Sequence, residues 1–283
     1  MKKIFNKIIG KIFGYKLNKI NNIDYNEIKE EKEYWVKQLQ SIYSKYNLQM
    51  DPIQTDEKNV PPIDLVKKHQ YSKHAIPDFF FGQGYRDAYE LFKTLEKNSI
   101  QLDKVSTVLD FGVAFSRLLI NWFPFNASLY GCDITPEGIQ WSQKKHGNRA
   151  KISFTNPKPP LPYDNNYFDV IYAIAVFIHI PYAKQEEWIK ELKRISKPGG
   201  YVAVTYYEPS INLINWEPRL VDEKLVKPGY FERRGNKNLN YDATDTFIDR
   251  DVIVDMWGKY FSPIEYTPRF KKHSIYLFQN DED

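Results

Sequence analysis

The chain has 283 residues, 42% of them hydrophobic, and a formal net charge of +4. That supports one large core with a helical appendage, while no stretch approaches the roughly 20 uninterrupted apolar residues of a membrane span. Six lysines and no acid fall in residues 1–20, so the rest of the chain nets −2 and offers no basic footprint for nucleic acid.

The single cysteine, Cys132, excludes an internal disulfide and fits a reducing compartment. Residues 1–17, "MKKIFNKIIGKIFGYKL", set Phe5, Ile8, Ile9, Ile12 and Phe13 at helical spacing between lysines. Such a helix suits peripheral contact with an anionic membrane surface, or docking on its own domain or a second subunit. Lysines interrupt every apolar run and no small-residue cleavage site follows, which argues against a signal peptide. The expected location is the cytoplasm, with membrane association through this segment as the variant.

Residues 25–48 read as a second helix whose Ile28, Trp35, Leu39, Ile42 and Tyr46 form a short heptad seam. The seam could pair two subunits as a homodimer or pack against its own domain. A polar, Pro-containing stretch follows, and a boundary near residue 60 divides a helical extension (1–60) from an α/β domain (61–283).

From residue 83 helices and strands alternate. Residues 83–98 and "SRLLINWF" read as helices, and 104–111 and 127–134 as strands. Residues 136–146 form a helix with Thr135 as N-cap and Pro136 at its first position. Residues 150–155 and the long apolar run 167–180 read as strands. The helix at 183–196 presents Trp188, Ile189, Leu192 and Ile195 on one face, and 199–207 is a further strand. Apolar strands without two-residue alternation, separated by amphipathic helices, indicate a doubly wound, mostly parallel sheet. A last helix over 247–261 and two strands near 262–270 and 273–280 add an antiparallel hairpin, giving seven strands. Residues 208–247 form a long insert without clear periodicity. Its Trp216, Tyr230, Phe231, Tyr241, Arg219, Arg233 and Arg234 suit a lid over a polar ring or an anion, or simple anchoring of the insert on the body.

In such a sheet ligands bind beyond the carboxyl ends of the strands. There "VLDFGVAFSR" runs from a strand into a turn, with Gly112, Ala114 and Ser116 in the small-residue slots of a G-x-G-x-G loop. Asp133 ends the next strand 21 residues after Gly112, near the interval at which a carboxylate meets a ribose diol. Asp110, Asn156, Ala175 to His179, and Tyr206 to Glu208 occupy the other strand ends. His179 is the candidate general base, with Glu208 as a second candidate; His273, Asp245, Asp249 and Asp251 read more simply as surface or helix-capping groups. No spacing suggests a metal site.

Residues 105–207 resemble a class I S-adenosylmethionine-dependent methyltransferase. "VLDFGVAFSR" resembles its first motif and "YGCDIT" its second-strand acid. "PPLPYDNNYFDVIYAIAVFIHI" resembles the fourth-strand region, and "WIKELKRISKPGGYVAVTYY" the helix and turn leading into the fifth strand. The tail is similar to the same family's last helix and hairpin. The fourth-strand stretch further resembles the branch acting on sugars and other small molecules. The resemblance implies S-adenosylmethionine as cofactor, held by Asp110, Gly112, Val113, Ala114, Ser116, Asp133, Ile134, Asn156 and Ala175, with Tyr71, Phe81 and Gly82 near its methionine end. It implies O-methylation of a small polar acceptor, such as a sugar of a glycan. The first motif departs from the family in lacking two of its three glycines. A non-catalytic binding protein of the same fold therefore stays open, as does, less favourably, a dinucleotide-dependent oxidoreductase.

Overall fold

The computed structural model describes residues 24–69, 76–208, 226–227, 229–234, 244–268 and 273–281. The lysine-rich segment 1–17 lies outside them, as do Tyr71, Trp216, Arg219 and Tyr241.

Seven strands form one sheet: β1 (Thr107–Phe111), β2 (Ser128–Asp133), β3 (Lys151–Phe154), β4 (Phe168–Ala173), β5 (Ser196–Tyr206), and the late strands β9 (Ser262–Thr267) and β10 (Ser274–Gln279). Their order is β3-β2-β1-β4-β5-β10-β9. The first five run parallel; β10 is antiparallel to both β5 and β9. This is the doubly wound seven-stranded sheet with a terminal hairpin that the alternating pattern predicts. The order reverses at β1, so the crevice for a ligand opens over the carboxyl ends of β1 and β4.

Two apolar layers cover the sheet. On one face Leu39, Ile42 and Tyr43 of α1 (Tyr25–Lys45) join Tyr85, Leu91 and Phe92 of α3 (Pro77–Lys97) and Trp122 in a single cluster, with α2 (Ile63–His69) contributing Val66. On the other, Trp188, Ile189, Leu192 and Ile195 of α5 (Tyr182–Ile195) pack with Ile253, Met256 and Trp257 of α6 (Arg250–Trp257). The expected stripe of α5 is thus buried as a unit. Of the heptad seam of α1, Leu39 and Ile42 are fully buried inside the same chain, and Trp35 and Tyr46 are partly buried against the same cluster. The chain near residue 60 is correspondingly not a break in packing. A buried Gln54 donates to the Tyr43 hydroxyl and to Asn121 Oδ1, and its carbonyl accepts from the Tyr85 hydroxyl, stitching 51–59 to the body.

Three expectations are corrected. "SRLLINWF" is not an α-helix; only Leu119–Trp122 form a 3-10 turn. Ser116, which opens this run, sits at φ +60° and Pro124 follows it, leaving too few residues for an α-helix to nucleate. The long strand at 167–180 stops at Ala173, because Ala175 turns to φ +60° and Phe177–His179 close a 3-10 turn. The insert is not irregular throughout: β6 (Val226–Lys227), β7 (Tyr230–Arg234) and β8 (Thr244–Ile248) form a small antiparallel sheet.

Candidate functional site

Gly112 leaves β1 at φ +93°, a conformation glycine adopts without strain. A side chain there would meet Val176 Cγ2 at 2.3 Å, so the glycine also lets the segment after β4 close over the loop. Gly112 and Val113 both donate their N–H groups to the Cys132 carbonyl, at 2.8 and 3.0 Å, and the Val113 side chain lies over Gly131. The loop then passes through Ala114 at φ +42° and Ser116 at φ +60°. The two positions where glycine is missing are therefore still built in the left-handed conformation that glycine favours. Ala and Ser keep the loop's shape while bearing a steric cost of about 1 kcal/mol each.

Asp133 closes β2 beside this loop. Its Oδ2 accepts the Ala114 N–H at 2.9 Å, and its Oδ1 accepts both the N–H and the hydroxyl of Thr135, at 2.8 and 2.7 Å. Thr135 is the N-cap residue of α4 (Pro136–His146), with Pro136 at the first helical position as expected, but its hydroxyl serves Asp133 rather than the helix. Ser142 of α4 donates to the Ala114 carbonyl at 2.9 Å, so the loop is held on both sides.

Asp110 is 5% exposed at the end of β1. Burial pushes its carboxyl up to about 8; the Tyr172 hydroxyl opposes this, neighbouring Asp133 adds to it, and Arg117 moderates it. Arg117 Nη2 in turn pairs with Asp87 of α3 at 3.1 Å. Asp133 thus stands at the strand ends beside an Asp110 carboxyl that holds its proton at neutral pH. A carboxylate with a neutral carboxyl next to it fits a ligand bearing a vicinal diol, as S-adenosylmethionine does.

The remaining candidates fall into separate places. Ile134 and Asn156 follow β2 and β3, Asn156 exposed, and Ala175 donates its N–H to Thr205 Oγ1 at 2.8 Å. Phe81 is stacked on Tyr85 inside the helical layer, and Gly82 lets α3 approach α1, where a side chain would meet the Lys32 Cα at 3.2 Å. Both residues take part in packing between helices. His179 lies on the 3-10 turn after β4, about half-exposed, its Nδ1 3.6 Å from Asp245 Oδ1. Glu208 is 3% exposed and accepts from the Tyr266 hydroxyl at 3.0 Å, which places it among the aromatics of the terminal hairpin.

The insert docks at the ends of β4 and β5. Tyr230 stacks on Tyr182 at 4.0 Å, Phe231 is buried against Phe247, and Phe247 stacks on Tyr207. For these residues anchoring prevails over substrate stacking. Reading the sequence overlooked Thr205 and took Thr135 and Asp245 only as surface or helix-capping groups; the β-branched and aromatic residues of "TDTFI" are a strand signal that would have moved Asp245 off the helix flank.

Residues 109–204 match the family model described as a methyltransferase domain. Among curated relatives, a sterol 4-C-methyltransferase of Caenorhabditis elegans is 28% identical over 132 residues, 45% of this chain and 39% of that protein. A phthiotriol/phenolphthiotriol dimycocerosates methyltransferase of Mycobacterium leprae is 30% identical over 102 residues, 35% of this chain and 36% of that protein. A fatty-acid O-methyltransferase of Mycolicibacterium smegmatis is 27% identical over 144 residues, 48% of this chain and 52% of that protein. The chain thus spans between about one third and one half of the length of these relatives. Among solved structures, an S-adenosylmethionine-dependent methyltransferase from Methanosarcina mazei superposes with a TM-score of 0.53 at 17% identity, covering 67% of this chain and 98% of that one. The magnesium protoporphyrin IX methyltransferase of Synechocystis, solved with bound S-adenosylhomocysteine, gives 0.51 at 16% identity, covering 73% and 88%. Residues 109–204 are thus similar to a methyltransferase domain, and the sheet that carries them has the fold of class I S-adenosylmethionine-dependent methyltransferases.

Proposed function

We propose that the chain transfers a methyl group from S-adenosylmethionine to an oxygen of a small acceptor. The observation that carries this reading is the clasp between Asp133 and the Gly112–Ser116 loop, at the strand ends where this fold binds ligands. Asp133 would hold the ribose, using the acceptor capacity left on Oδ2, and the loop backbone would lie against the cofactor. When bound, the cofactor supplies an electrophilic methyl carbon: the acceptor oxygen bonds to it and the sulfur keeps the bonding pair as a neutral thioether. His179 would take the proton that a hydroxyl acceptor must lose.

The relatives are named for a sterol, phthiotriol and a fatty acid, which supports a lipid-like acceptor. A sugar hydroxyl is the second reading. It draws on the fourth-strand resemblance and on the polar His179–Asp245 pair, while the stacking of Tyr230 on Tyr182 and the burial of Phe231 withdraw two of the rings that would stack on a sugar.

Calorimetric titration with S-adenosylhomocysteine, beside NAD, tests the cofactor. Binding in the micromolar range that NAD does not reproduce is expected; absence of binding would favour the non-catalytic reading. Trideuteromethyl-labelled S-adenosylmethionine offered with a free fatty acid, a sterol or a methyl glycoside then separates the acceptor classes by which product gains the label.

A further inference from the structure

Asp245 is carried by β8 of the insert, far along the chain from the turn it meets. Its backbone pairs with Arg233 of β7, and its carboxylate lies 3.6 Å from Nδ1 of His179. Neighbouring contacts fix this approach. Thr246 Oγ1 donates to the Ile180 carbonyl at 3.1 Å, and Ile248 donates its N–H to the Tyr207 carbonyl at 2.9 Å. Glu232 Oε1 accepts the Tyr182 N–H at 2.5 Å, while Tyr230 stacks on the Tyr182 ring. The stretch from Phe177 to Tyr182 is therefore gripped by two strands of the insert. Of the acids those strands bring to it, Glu232 is engaged with the first turn of α5, and Asp245 is the one facing the imidazole.

We propose that Asp245 is the positioning residue for His179, so that the insert completes the proton-accepting end of the site instead of acting as a detachable lid. The proposal rests on the methyl-transfer reading above. A carboxylate at Nδ1 favours the tautomer that carries its hydrogen on that nitrogen, leaving Nε2 to accept a proton. The proton lost by an acceptor hydroxyl moves to Nε2, the resulting imidazolium stands beside the Asp245 carboxylate, and the proton then leaves to water across the exposed side of the ring. A half-exposed pair of this kind contributes little to stability. An arrangement that fastens one strand to place such a pair is better explained by its effect on the imidazole than by its effect on folding.

The test is nitrogen-15 NMR of the histidines in the full chain, with the His179 signals assigned by their loss in His179→Gln. In the wild type His179 is expected to be mainly the Nδ1–H tautomer. Asp245→Asn is expected to shift that population and to lower the His179 pKa by about half a unit or more, with Asp245→Glu restoring much of both. S-adenosylhomocysteine binding should match the wild type in Asp245→Asn. An unchanged His179 titration and tautomer in a folded Asp245→Asn protein would overturn the proposal, even where the cofactor binds. Failure of the wild type to bind S-adenosylhomocysteine would instead strike the underlying methyl-transfer reading.

Discussion

The carboxylate of Asp133 accepts the backbone N–H of Ala114 at 2.9 Å, so the acid assigned to the ribose also fixes the loop that would lie against the cofactor. Asp133→Ala should therefore act twice. Three donors, from Ala114 and Thr135, lose their acceptor, and at this half-buried position the expected cost is about 1–2 kcal/mol, read in a denaturant melt. Binding of S-adenosylhomocysteine should weaken by more than the stability loss accounts for. Wild-type affinity in a folded Asp133→Ala protein would remove Asp133 from the site.

Ala114 and Ser116 occupy left-handed backbone positions, which reverses the usual sign of a glycine substitution. Glycine normally costs roughly 0.5–1 kcal/mol through the unfolded chain, but here it relieves strain of about the same size or more. Ala114→Gly and Ser116→Gly should each be neutral or stabilising by up to about 1 kcal/mol, with cofactor affinity held or improved. A uniform loss of about 1 kcal/mol in chemical melts of both variants would show that the loop relaxes out of this conformation.

Strand ends were legible because apolar runs stop where the backbone must turn; Asp110, Gly112 and Asp133 were found that way. What the residues did not disclose was conformational. Ala114 and Ser116 look like conservative wear of a glycine loop, and only their positive φ values show that the loop's shape survives. Phe81 and Gly82 carry the same letters whatever they face, and only the folded chain shows Phe81 stacked on Tyr85 and Gly82 close to Lys32. Asp245 could not be joined to His179 by any local pattern, since a three-stranded insert brings them together.

Helix α5 has Pro181 at its N-cap and no capping side chain of its own, yet Glu232 from the insert accepts the Tyr182 N–H. A carboxylate at a helix N-terminus typically contributes about 1 kcal/mol. Glu232→Ala should lower stability by about that amount and loosen the insert, read as faster limited proteolysis between residues 208 and 248. Glu232→Gln should recover part of the loss. Equal cleavage rates in wild type and Glu232→Ala would show that the aromatic stack alone holds the insert.

Asp110 gives the fold an alkaline weakness. Its carboxyl stands at about 8 in the folded chain, against roughly 4 when unfolded, so the folded state holds the extra proton across that window. Stability should therefore fall as pH rises from about 4 to 8, by an amount on the order of several kcal/mol, with the full cost present above 8. Asp110→Asn keeps the shape and removes the titration. Its melting temperature should change less between pH 6.5 and pH 8 than that of the wild type, and parallel curves would place the proton elsewhere.

His146 contributes the opposite slope. It is 1% exposed, packed edge-on against Phe123 and Trp141, and burial, with Lys145 and Arg149 adding to it, lowers its pKa to about 4. The folded chain keeps the ring neutral where the unfolded chain protonates it, below about 6.5. Stability is thus lost as pH falls from about 6.5 to 4, by roughly 3 kcal/mol at the lower end, and none of this penalty remains above 6.5. Because Asp110 acts in the other direction between about pH 4 and 6.5, the wild-type curve over that span would hide both effects. His146→Leu, which fills the site with an apolar side chain, should remove the acid-side loss while leaving the decline towards pH 8 in place. In the double variant with Asp110→Asn both slopes should flatten. A wild-type acid slope that persists in His146→Leu would show that carboxylate titration, and not this histidine, sets the acid limit of the fold.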